Sequence, residues 1–415
     1  MKVITIGMSP YNTTSVSRIH ASILQKFLFE GHSVISVSWA HDISYHVPDD
    51  DGQYYYKFEA LAPNAPSNEP VSPMEYKIPI VPLLKGLSDP VPIYEAINQL
   101  EPDVVVTIGD LVEAAFMKAV KTFVSKPFKW LAVLTQSQYP VSEELSDLAD
   151  YIDGVLCSSL SARNEITKFF NKPYLETSFV DFDEKFFREK KRDPKKFRVM
   201  ALGKSSQVDN LSTVMEVCSE VRKQIPEIEL YIHANINDTG EYDLNVIRKR
   251  FDPKNEFIRF PDQFVSLIEG ISTDELAEEY AITDVFVSIP LVSATSMSVW
   301  EAMAAGCVPI MSDCGSNRDL AARIEKETSG LSGESLLVPG INLMTAGETY
   351  LTVSNPTELK KRLYWMNKNR EKMEGYKGRL AVFLQKNSKQ AFVETLANMI
   401  KTLESSNEVL SLETL

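Results

Sequence analysis

Short apolar strands alternate with amphipathic helices through this chain, and the pattern occurs twice. The first segment, Val3–Gly7, is apolar and β-branched, as expected for a buried strand. Apolar residues then recur every three or four positions, at Ile19, Ile23, Leu24, Phe27 and Leu28. This spacing predicts a helix that ends at Gly31. Strands that alternate with helices pair in parallel, so the sequence predicts α/β domains with ligands outside the carboxyl ends of the strands.

A polar, mostly basic connector separates the two runs of alternation. It carries Lys185, Arg188 and several lysines that follow, and the pattern restarts with a strand at Phe197–Leu202. A chain of 415 residues is long for a single core. We therefore predict an N-terminal Rossmann-like domain over 1–182, a linker over 183–196 and a C-terminal Rossmann-like domain over 197–375. We expect the helix in 376–415 to pack back on the N-terminal domain.

Composition and charge argue against several classes of protein. The net charge of −14 argues against a general nucleic-acid binder, and residues 1–180 hold 13 Lys and Arg against 21 Asp and Glu. The four cysteines have neither disulfide nor zinc spacing, and we predict no metal site. No apolar run has the roughly 18 residues that a membrane-spanning helix needs. Without a signal-peptide pattern at the N-terminus, we expect a cytoplasmic protein.

The strongest local signal lies in residues 284–319, where a strand, a polar turn, a helix, a glycine and a second strand follow one another. The turn Ser293–Ser298 carries four hydroxyl side chains just before the helix. The free N–H groups and positive end of that helix suit an anionic diphosphate. Glu301, about one turn into the helix, could accept protons from ribose hydroxyls. On the pattern alone, an ordinary capped helix with a solvated Glu301 is as good an interpretation.

This segment resembles the signature of the retaining GT-B glycosyltransferases related to sucrose synthase and glycogen synthase, the glycosyl transferases group 1. Their donor site carries Glu, seven residues, a second Glu and then Ala-Met-Ala/Ser-x-Gly-x-Pro-Val/Ile. Glu301–Ile310 matches the second half closely. The first acid of the pair, which contacts sugar hydroxyls in the family, falls on Ser293.

Weaker matches follow in the family's order over about 320 residues. Met200–Lys204 resembles the Gly-Arg after the first strand of the C-terminal domain, with Lys204 preserving the charge. The family usually has a Lys a few residues further on, where this chain has Asp209-Asn210. Val180–Phe186 resembles the family's Val-Asp-x-x-x-Phe, and Leu28–Val34 resembles its Gly-His-x-Val.

The resemblance implies an α/β protein of the GT-B fold, with two Rossmann-like domains whose parallel sheets face each other across a cleft. It implies a hexosyl or pentosyl transferase that moves a sugar from a nucleotide-diphosphate sugar to an acceptor hydroxyl, with retention and without metal or cofactor. A UDP-sugar is favoured over a GDP-sugar. Lys204 and Glu301 carry over as the catalytic pair. The implied donor contacts are Gly203, Lys204, His233, Ser293, Thr295, Ser296, Met297 and Glu301.

The acceptor would meet the first half of the chain. Asp110 and Gln136 follow predicted strands, and Thr14 and Ser15 lie in the loop after the first strand, so these four are acceptor candidates. A simpler interpretation of Asp110 is an N-cap for a helix over Leu111–Phe123.

Several acceptors and two other functions remain open at this point. The acceptor could be a glycan precursor, a lipid-linked sugar, a small molecule or a modified nucleic-acid base, since phage enzymes that glucosylate bases share this broad fold. The acidic first half does not favour nucleic acid. The alternative functions are a sugar-nucleotide epimerase and a non-catalytic binding protein of the same fold, which Ser293 and Asp209 would permit.

Overall fold

The computed structural model describes residues 1–12, 14–40, 48–61, 72–83, 86–88, 90–137, 139–170, 175–178, 184–188, 192–237, 240–262, 271–330, 335–345, 349–387 and 391–412. Residues 180–183 of the Val-Asp-x-x-x-Phe match and residues 189–191 of the predicted linker lie outside these ranges. The chain forms two compact units. Unit 1 comprises residues 1–136, 141–180 and 390–415, and unit 2 comprises residues 137–140 and 181–389.

Unit 1 is built on an eight-stranded sheet in the order β3-β4-β2-β1-β5-β6-β7-β8. Its strands are β1 (Lys2–Met8), β2 (Ser33–Trp39), β3 (Tyr54–Ala60), β4 (Met74–Leu83), β5 (Val104–Gly109), β6 (Lys129–Leu134), β7 (Gly154–Cys157) and β8 (Leu175–Thr177). All neighbouring strands are parallel except β3 and β4. The central strands β1, β5 and β6 are almost entirely buried because helices cover both faces of such a sheet.

The described residues of unit 1 form five α-helices. They are α1 (Ser15–Phe29), α2 (Val91–Leu100), α3 (Met117–Phe123), α4 (Leu160–Ile166) and the C-terminal α12 (Ala391–Leu412). The last of these buries Phe392, Leu396 and Ile400. Lys26 on α1 pairs with Glu394 on α12 at 2.7 Å, so the end of the chain is part of the unit formed by its beginning.

Unit 2 contains a six-stranded parallel sheet in the order β11-β10-β9-β12-β13-β14. Its strands are β9 (Phe197–Leu202), β10 (Ile228–His233), β11 (Ile258–Arg259), β12 (Val285–Ser288), β13 (Val308–Ser312) and β14 (Leu337–Val338). A separate antiparallel hairpin pairs β15 (Gly340–Met344) with β16 (Tyr350–Ser354). The order of the strands reverses between β9 and β12, which is where ligands bind in open sheets of this kind.

The helices of unit 2 connect and cover this sheet. They are α5 (Leu211–Arg222), α6 (Leu244–Phe251), α7 (Thr273–Ile282), α8 (Met297–Ala304), α9 (Gly315–Thr328), α10 (Pro356–Lys368) and α11 (Arg370–Asn387). Short 3₁₀ helices occur at Gly86–Ser88, Glu143–Asp150 and Glu184–Phe186. Trp300 of α8 stacks on Phe383 of α11, with ring centroids 5.5 Å apart.

The predicted fold class is confirmed, and one local prediction differs from the structure. The helix predicted over Leu111–Phe123 begins only at Met117, after a series of turns. β3 forms between segments rich in Pro, Asp and Asn, and its Phe58 stacks on Tyr76 of β4.

Candidate active site

Two loops leave the carboxyl edge of the unit 2 sheet side by side. β9 and β12 are parallel neighbours, so the loop after β9 and the loop after β12 begin at the same edge. The first loop contains Gly203, Lys204 and Asp209, and the second runs from Ile289 to Ser296. This edge at the reversal of strand order is where the fold leaves room for a ligand.

Backbone and side-chain hydrogen bonds hold these two loops together. The Leu291 N–H donates to the Val208 carbonyl at 2.7 Å. Asn210, in the left-handed region at φ 55°, donates its side-chain amide to the Ile289 carbonyl at 3.2 Å. Lys204, which is exposed, is therefore on a loop with a fixed position relative to the polar turn at Ser293.

The hydroxyl groups of the polar turn bond within the protein. Ser293 and Ser296 each donate to Asn317 Oδ1, at 3.0 and 2.6 Å, and both hydroxyls lie 2.8 Å from that of Ser316. Asn317 in turn donates to the Ser288 carbonyl and the Ser312 hydroxyl. Ser293, Thr295 and Ser296 are all at least nine-tenths buried. The turn therefore offers a ligand its backbone more readily than its side chains.

The amino end of α8 is not capped by its own N-cap side chain. Ser296 occupies the N-cap position with φ 52°, and its side chain accepts no hydrogen bond from the helix. Among the described residues, the N–H groups of Met297 and Ser298 have no hydrogen-bond partner. Free N–H groups and the helix dipole make this end attractive to an anion.

The next helix, α9, closely approaches the same turn through a glycine. Gly315 has φ +44°, and a Cβ there would lie 2.1 Å from the Ser293 carbonyl oxygen. The Ser316 N–H donates to that oxygen at 3.0 Å. A glycine is required at this position both by its backbone conformation and by the available space.

A carboxylate lies beside the lysine of the first loop. The Lys204 N–H donates to Asp209 Oδ2 at 2.7 Å, and the Asp209 side chain packs against Gly203. Burial raises the pKa of the Asp209 carboxyl above its usual range, and the hydrogen bond from Lys204 only partly offsets this. The position where the family resemblance leads one to expect a second cation therefore holds an acid.

His233 ends the neighbouring strand β10, and its carbonyl accepts the Gly203 N–H at 3.3 Å. Its ring lies 3.3 Å from the Tyr231 hydroxyl. Burial lowers the pKa of His233 to about 4, so the imidazole is neutral near pH 7. A neutral imidazole can donate one hydrogen bond and accept another without adding charge to the site. A direct contact of its side chain with the donor stays a prediction.

Glu301 lies within the helix that begins at the polar turn. Glu301 is only 1% exposed and has bonding partners within the protein. The ribose contact predicted for this carboxylate would use a side chain that is already held in place.

Unit 1 has a comparable pair of loops after β1 and β5, where its strand order also reverses. Thr14 caps α1 and accepts the Ser17 N–H at 3.2 Å, and Ser15 is the first residue of that helix. Gln136 is 4% exposed and its Oε1 accepts the Leu111 N–H at 3.1 Å. These contacts give Thr14 and Gln136 structural roles, and acceptor binding by them stays a prediction.

Asp110 does not cap a helix as the simpler interpretation suggested, because α3 begins at Met117. Sequence reasoning also missed Glu113, whose carboxylate accepts the Asp110 N–H at 2.9 Å. Burial raises the pKa of the Glu113 carboxyl. A spacing of three residues between an acid and a Glu is a capping-box signal that could have identified the pair. Asn317, the centre of the buried network in unit 2, had no comparable signal.

In the part of the chain that the structure describes, no three His, Cys, Asp or Glu side chains cluster as metal ligands. None of the described helices has the length and apolar character to cross a bilayer.

The segment that forms the candidate site is similar to a known family. Residues 196–342, which contain both loops and α8, match the family model described as Glycosyl transferases group 1. No curated protein matched the sequence.

Solved structures match over nearly the whole chain, at identities that establish the fold alone. Sucrose-phosphate synthase from Thermosynechococcus elongatus gives a TM-score of 0.70 at 13% identity, covering 98% of this chain and 100% of that one. The Anabaena protein HepE, solved with UDP and glucose, gives 0.65 at 12% identity, covering 98% and 100%. An α,α-trehalose 6-phosphate synthase from Burkholderia multivorans gives 0.65 at 11% identity, covering 98% and 99%.

Proposed function

Since residues 196–342 match the group 1 glycosyltransferases and the chain has the GT-B fold, we propose that unit 2 binds a UDP-sugar and transfers its sugar to an acceptor hydroxyl with retention. The diphosphate would lie between the amino end of α8 and Lys204. The uncapped end of α8, held against the Lys204 loop, is the observation that carries this proposal.

Charge stabilisation is the chemistry that this arrangement supplies. As the bond from the anomeric carbon to the diphosphate breaks, negative charge accumulates on the leaving phosphate oxygen. The Met297 and Ser298 N–H groups and the Lys204 ammonium would stabilise that charge without reorganising. The acceptor oxygen bonds to the anomeric carbon on the face that the diphosphate leaves, and its proton passes to a phosphate oxygen.

The remaining predicted donor residues have supporting roles in this proposal. Glu301 would bind the ribose hydroxyls, and the backbone of Thr295 and Ser296 would line the sugar. His233, at the end of β10, would border the nucleoside as a neutral group. UDP is favoured because a structural neighbour that covers nearly the whole chain, HepE, was solved with UDP.

One specific observation favours a second candidate, a non-catalytic protein that binds nucleotide sugars. The Ser293 hydroxyl is committed to Asn317 and Ser316, and it stands where the family signature has a sugar-contacting acid. Asp209 further reduces the positive charge available to the diphosphate. Such a protein would bind UDP and release none from a UDP-sugar.

Release of UDP from a panel of UDP-sugars tests the proposal. We expect one donor to give UDP at a rate that Lys204→Ala lowers about 100-fold, the scale of losing a charged group that stabilises a transition state. Lys223→Ala, a change at an exposed lysine on the same unit, is the matched control and should leave the rate unchanged.

The products distinguish the alternatives. We expect the product to keep the anomeric configuration of the donor, as read from NMR coupling constants. Formation of an epimeric UDP-sugar without release of UDP would identify an epimerase. UDP binding without any release that depends on Lys204 would identify the non-catalytic protein.

A further inference from the structure

The hairpin of β15 and β16 presents an aliphatic face to solvent. Its register pairs Ile341 with Val353 and Leu343 with Leu351, so these four side chains share one face. Ile341 is 64% exposed and Leu343 is 49% exposed. Neither strand contains a charged residue. The hairpin strands are therefore free of charge on a chain in which 24% of residues are charged.

The opposite face explains why the aliphatic face points outward. On β16, Thr352 and Ser354 alternate with the aliphatic residues and are 6% and 2% exposed. β16 therefore lies on unit 2 through Thr352 and Ser354, whereas all five residues of β15 are exposed. The strand alternation leaves Leu351 and Val353 facing away from the body of the unit.

The cavity at the base of this hairpin has no charged side chain in its lining, whereas another cavity of unit 2, of about 370 Å³, is lined by paired charges. The hairpin cavity has a volume of about 350 Å³. It is lined by Pro339, Gly340, Ile341, Val353, Ser354, Asn355 and Pro356. Its size falls in the range of small-molecule sites, and Ile341 and Val353 belong to both the cavity and the aliphatic face.

Hydrogen bonds connect this surface to the loop that carries the polar turn. The Thr352 N–H donates to the Leu291 carbonyl at 2.8 Å, and the Leu291 N–H donates to Val208. Leu291 precedes Ser293 by two residues, which spans at most about 7 Å of chain. The hairpin is therefore hydrogen-bonded to the loop that leads to the place proposed for the diphosphate.

The area and chemistry of the face decide among possible occupants. Four aliphatic side chains, two of them about half exposed, present on the order of 250 Å², far less than the roughly 800 Å² per partner of a stable dimer. Binding to an anionic bilayer needs clustered Lys or Arg, and the hairpin has none. A single hydrocarbon chain fits both the area and the absence of charge.

We propose that the β15–β16 face and its cavity bind the hydrocarbon part of the acceptor, so that the acceptor hydroxyl is carried on an alkyl or isoprenoid chain. This inference rests on the proposed function, because it places the acceptor tail next to the donor loop. Apolar contact along the hydrocarbon tail lowers the dissociation constant of the acceptor as the tail lengthens. The end of the acceptor that carries the hydroxyl contributes the same amount at every tail length.

Calorimetric titration of the full chain, saturated with UDP, tests this with methyl, hexyl and octyl β-D-glucoside below their micelle concentrations. One face of the tail contacts protein, so each added methylene should tighten binding about twofold, half of the full transfer effect. The octyl compound should therefore bind at least about tenfold more tightly than the methyl compound.

Matched variants locate the effect. Ile341→Ser and Leu343→Ser replace exposed side chains and should remove the dependence on tail length. Val382→Ser replaces a valine that is 66% exposed on α11 and should leave the dependence intact. UDP binding should be the same in all three variants.

The outcomes separate this inference from the proposed function. If UDP binds and tail length has no effect, or if the effect survives in both hairpin variants, the inference is wrong and the donor site stands. If UDP does not bind the wild-type chain, the proposed function fails first. Self-association, or adsorption to phosphatidylcholine vesicles, that the hairpin variants abolish would also overturn the inference, because another partner would then cover the face.

Discussion

The charge of the candidate site depends on two neighbouring residues, Lys204 and Asp209. The sequence placed a lysine after β9 and an acid where the family has a second cation. It could not show that Asp209 is mostly buried, or that its carboxylate accepts the Lys204 N–H at 2.7 Å. Burial depends on the packing of this loop, which the local sequence does not encode.

Asp209 should make UDP binding depend on pH. Its pKa is already raised by burial, and a bound diphosphate would raise it further because like charges repel. Binding then takes up a proton, so affinity is highest below the pKa of the free protein and falls as pH rises through the pKa of the complex. Asp209→Asn should bind UDP several-fold more tightly near pH 8 and with a smaller dependence on pH than wild type, as measured by calorimetry; the terminal phosphate of UDP, which titrates at about pH 6, contributes equally to both proteins.

The matched control for this prediction is Glu216→Gln, which removes an exposed carboxylate from α5. It should retain the wild-type dependence on pH. Equal UDP affinity for wild type and Asp209→Asn across the acid and neutral range would show that this carboxylate does not meet the diphosphate.

The hydroxyls of Ser293 and Ser296 show what residue patterns alone could not reveal. A row of hydroxyl side chains before a helix is typical of a ligand-binding turn, yet here two of them bond to Asn317, more than 20 residues away. Long-range partners of this kind depend on how α9 packs against the loop after β12.

At the scale of elements, the strands and helices that carry the candidate site were predicted closely. The order predicted over residues 284–319, a strand, a turn, a helix and a second strand, is confirmed by Val285–Ser288, Met297–Ala304 and Val308–Ser312. The β15–β16 hairpin was not predicted, because its first strand, Gly340–Met344, is five residues long and has a single polar side chain, Asn342, too few for a clear alternation. β3 was missed because its neighbours in sequence are rich in Pro, Asp and Asn.

The contact between α9 and the turn gives a prediction at this scale. Gly315→Ala would place a methyl group 2.1 Å from the Ser293 carbonyl oxygen and displace the turn. We expect UDP affinity to fall about tenfold or more, since displaced donors lose short hydrogen bonds to the anion. Titration calorimetry measures this.

Gly330→Ala supplies the matched control, because Gly330 also has a positive φ, +62°, but no atom within 4 Å of an added Cβ. It carries the same backbone strain without the collision. If both variants bound UDP alike, the approach of α9 would have no part in shaping the site.

At the scale of the whole molecule, the alternation of strands and helices was enough to predict the α/β class and two parallel sheets. The GT-B assignment came from the family resemblance, whose strongest motif lies in the second half and whose weaker matches extend over about 320 residues. The long antiparallel edge of unit 1, β3 and β4, lies outside what the βα pattern predicts. Pairing at a sheet edge depends on non-local contacts, which periodicity does not report.

The acid stability of the chain should reflect a buried histidine in unit 1. His20 is 0% exposed and lies 2.7 Å from the Thr5 hydroxyl and 2.8 Å from the Met8 carbonyl oxygen. Burial lowers the pKa of His20 from 6.5 to about 4. Its contribution to stability is complete above pH 6.5 and is lost as pH falls toward 4, a change of about 3 kcal/mol in the free energy of unfolding.

Urea unfolding near pH 7.5 and near pH 4.5 measures this change. His20→Gln, which cannot be protonated in this range, should lose about 2 to 3 kcal/mol less than wild type on acidification. A variant that lost as much stability as wild type would assign the acid sensitivity to other groups.

The central claim is that unit 2 holds a nucleoside diphosphate between Lys204 and the amino end of α8. Calorimetric titration of UDP into wild type, Lys204→Ala and Lys223→Ala tests it most directly. We predict saturable binding that Lys204→Ala weakens about tenfold or more and Lys223→Ala leaves unchanged, as expected for the loss of a charge-assisted contact. Equal UDP affinity in all three proteins would contradict the claim. The absence of UDP binding to all three would contradict it as well.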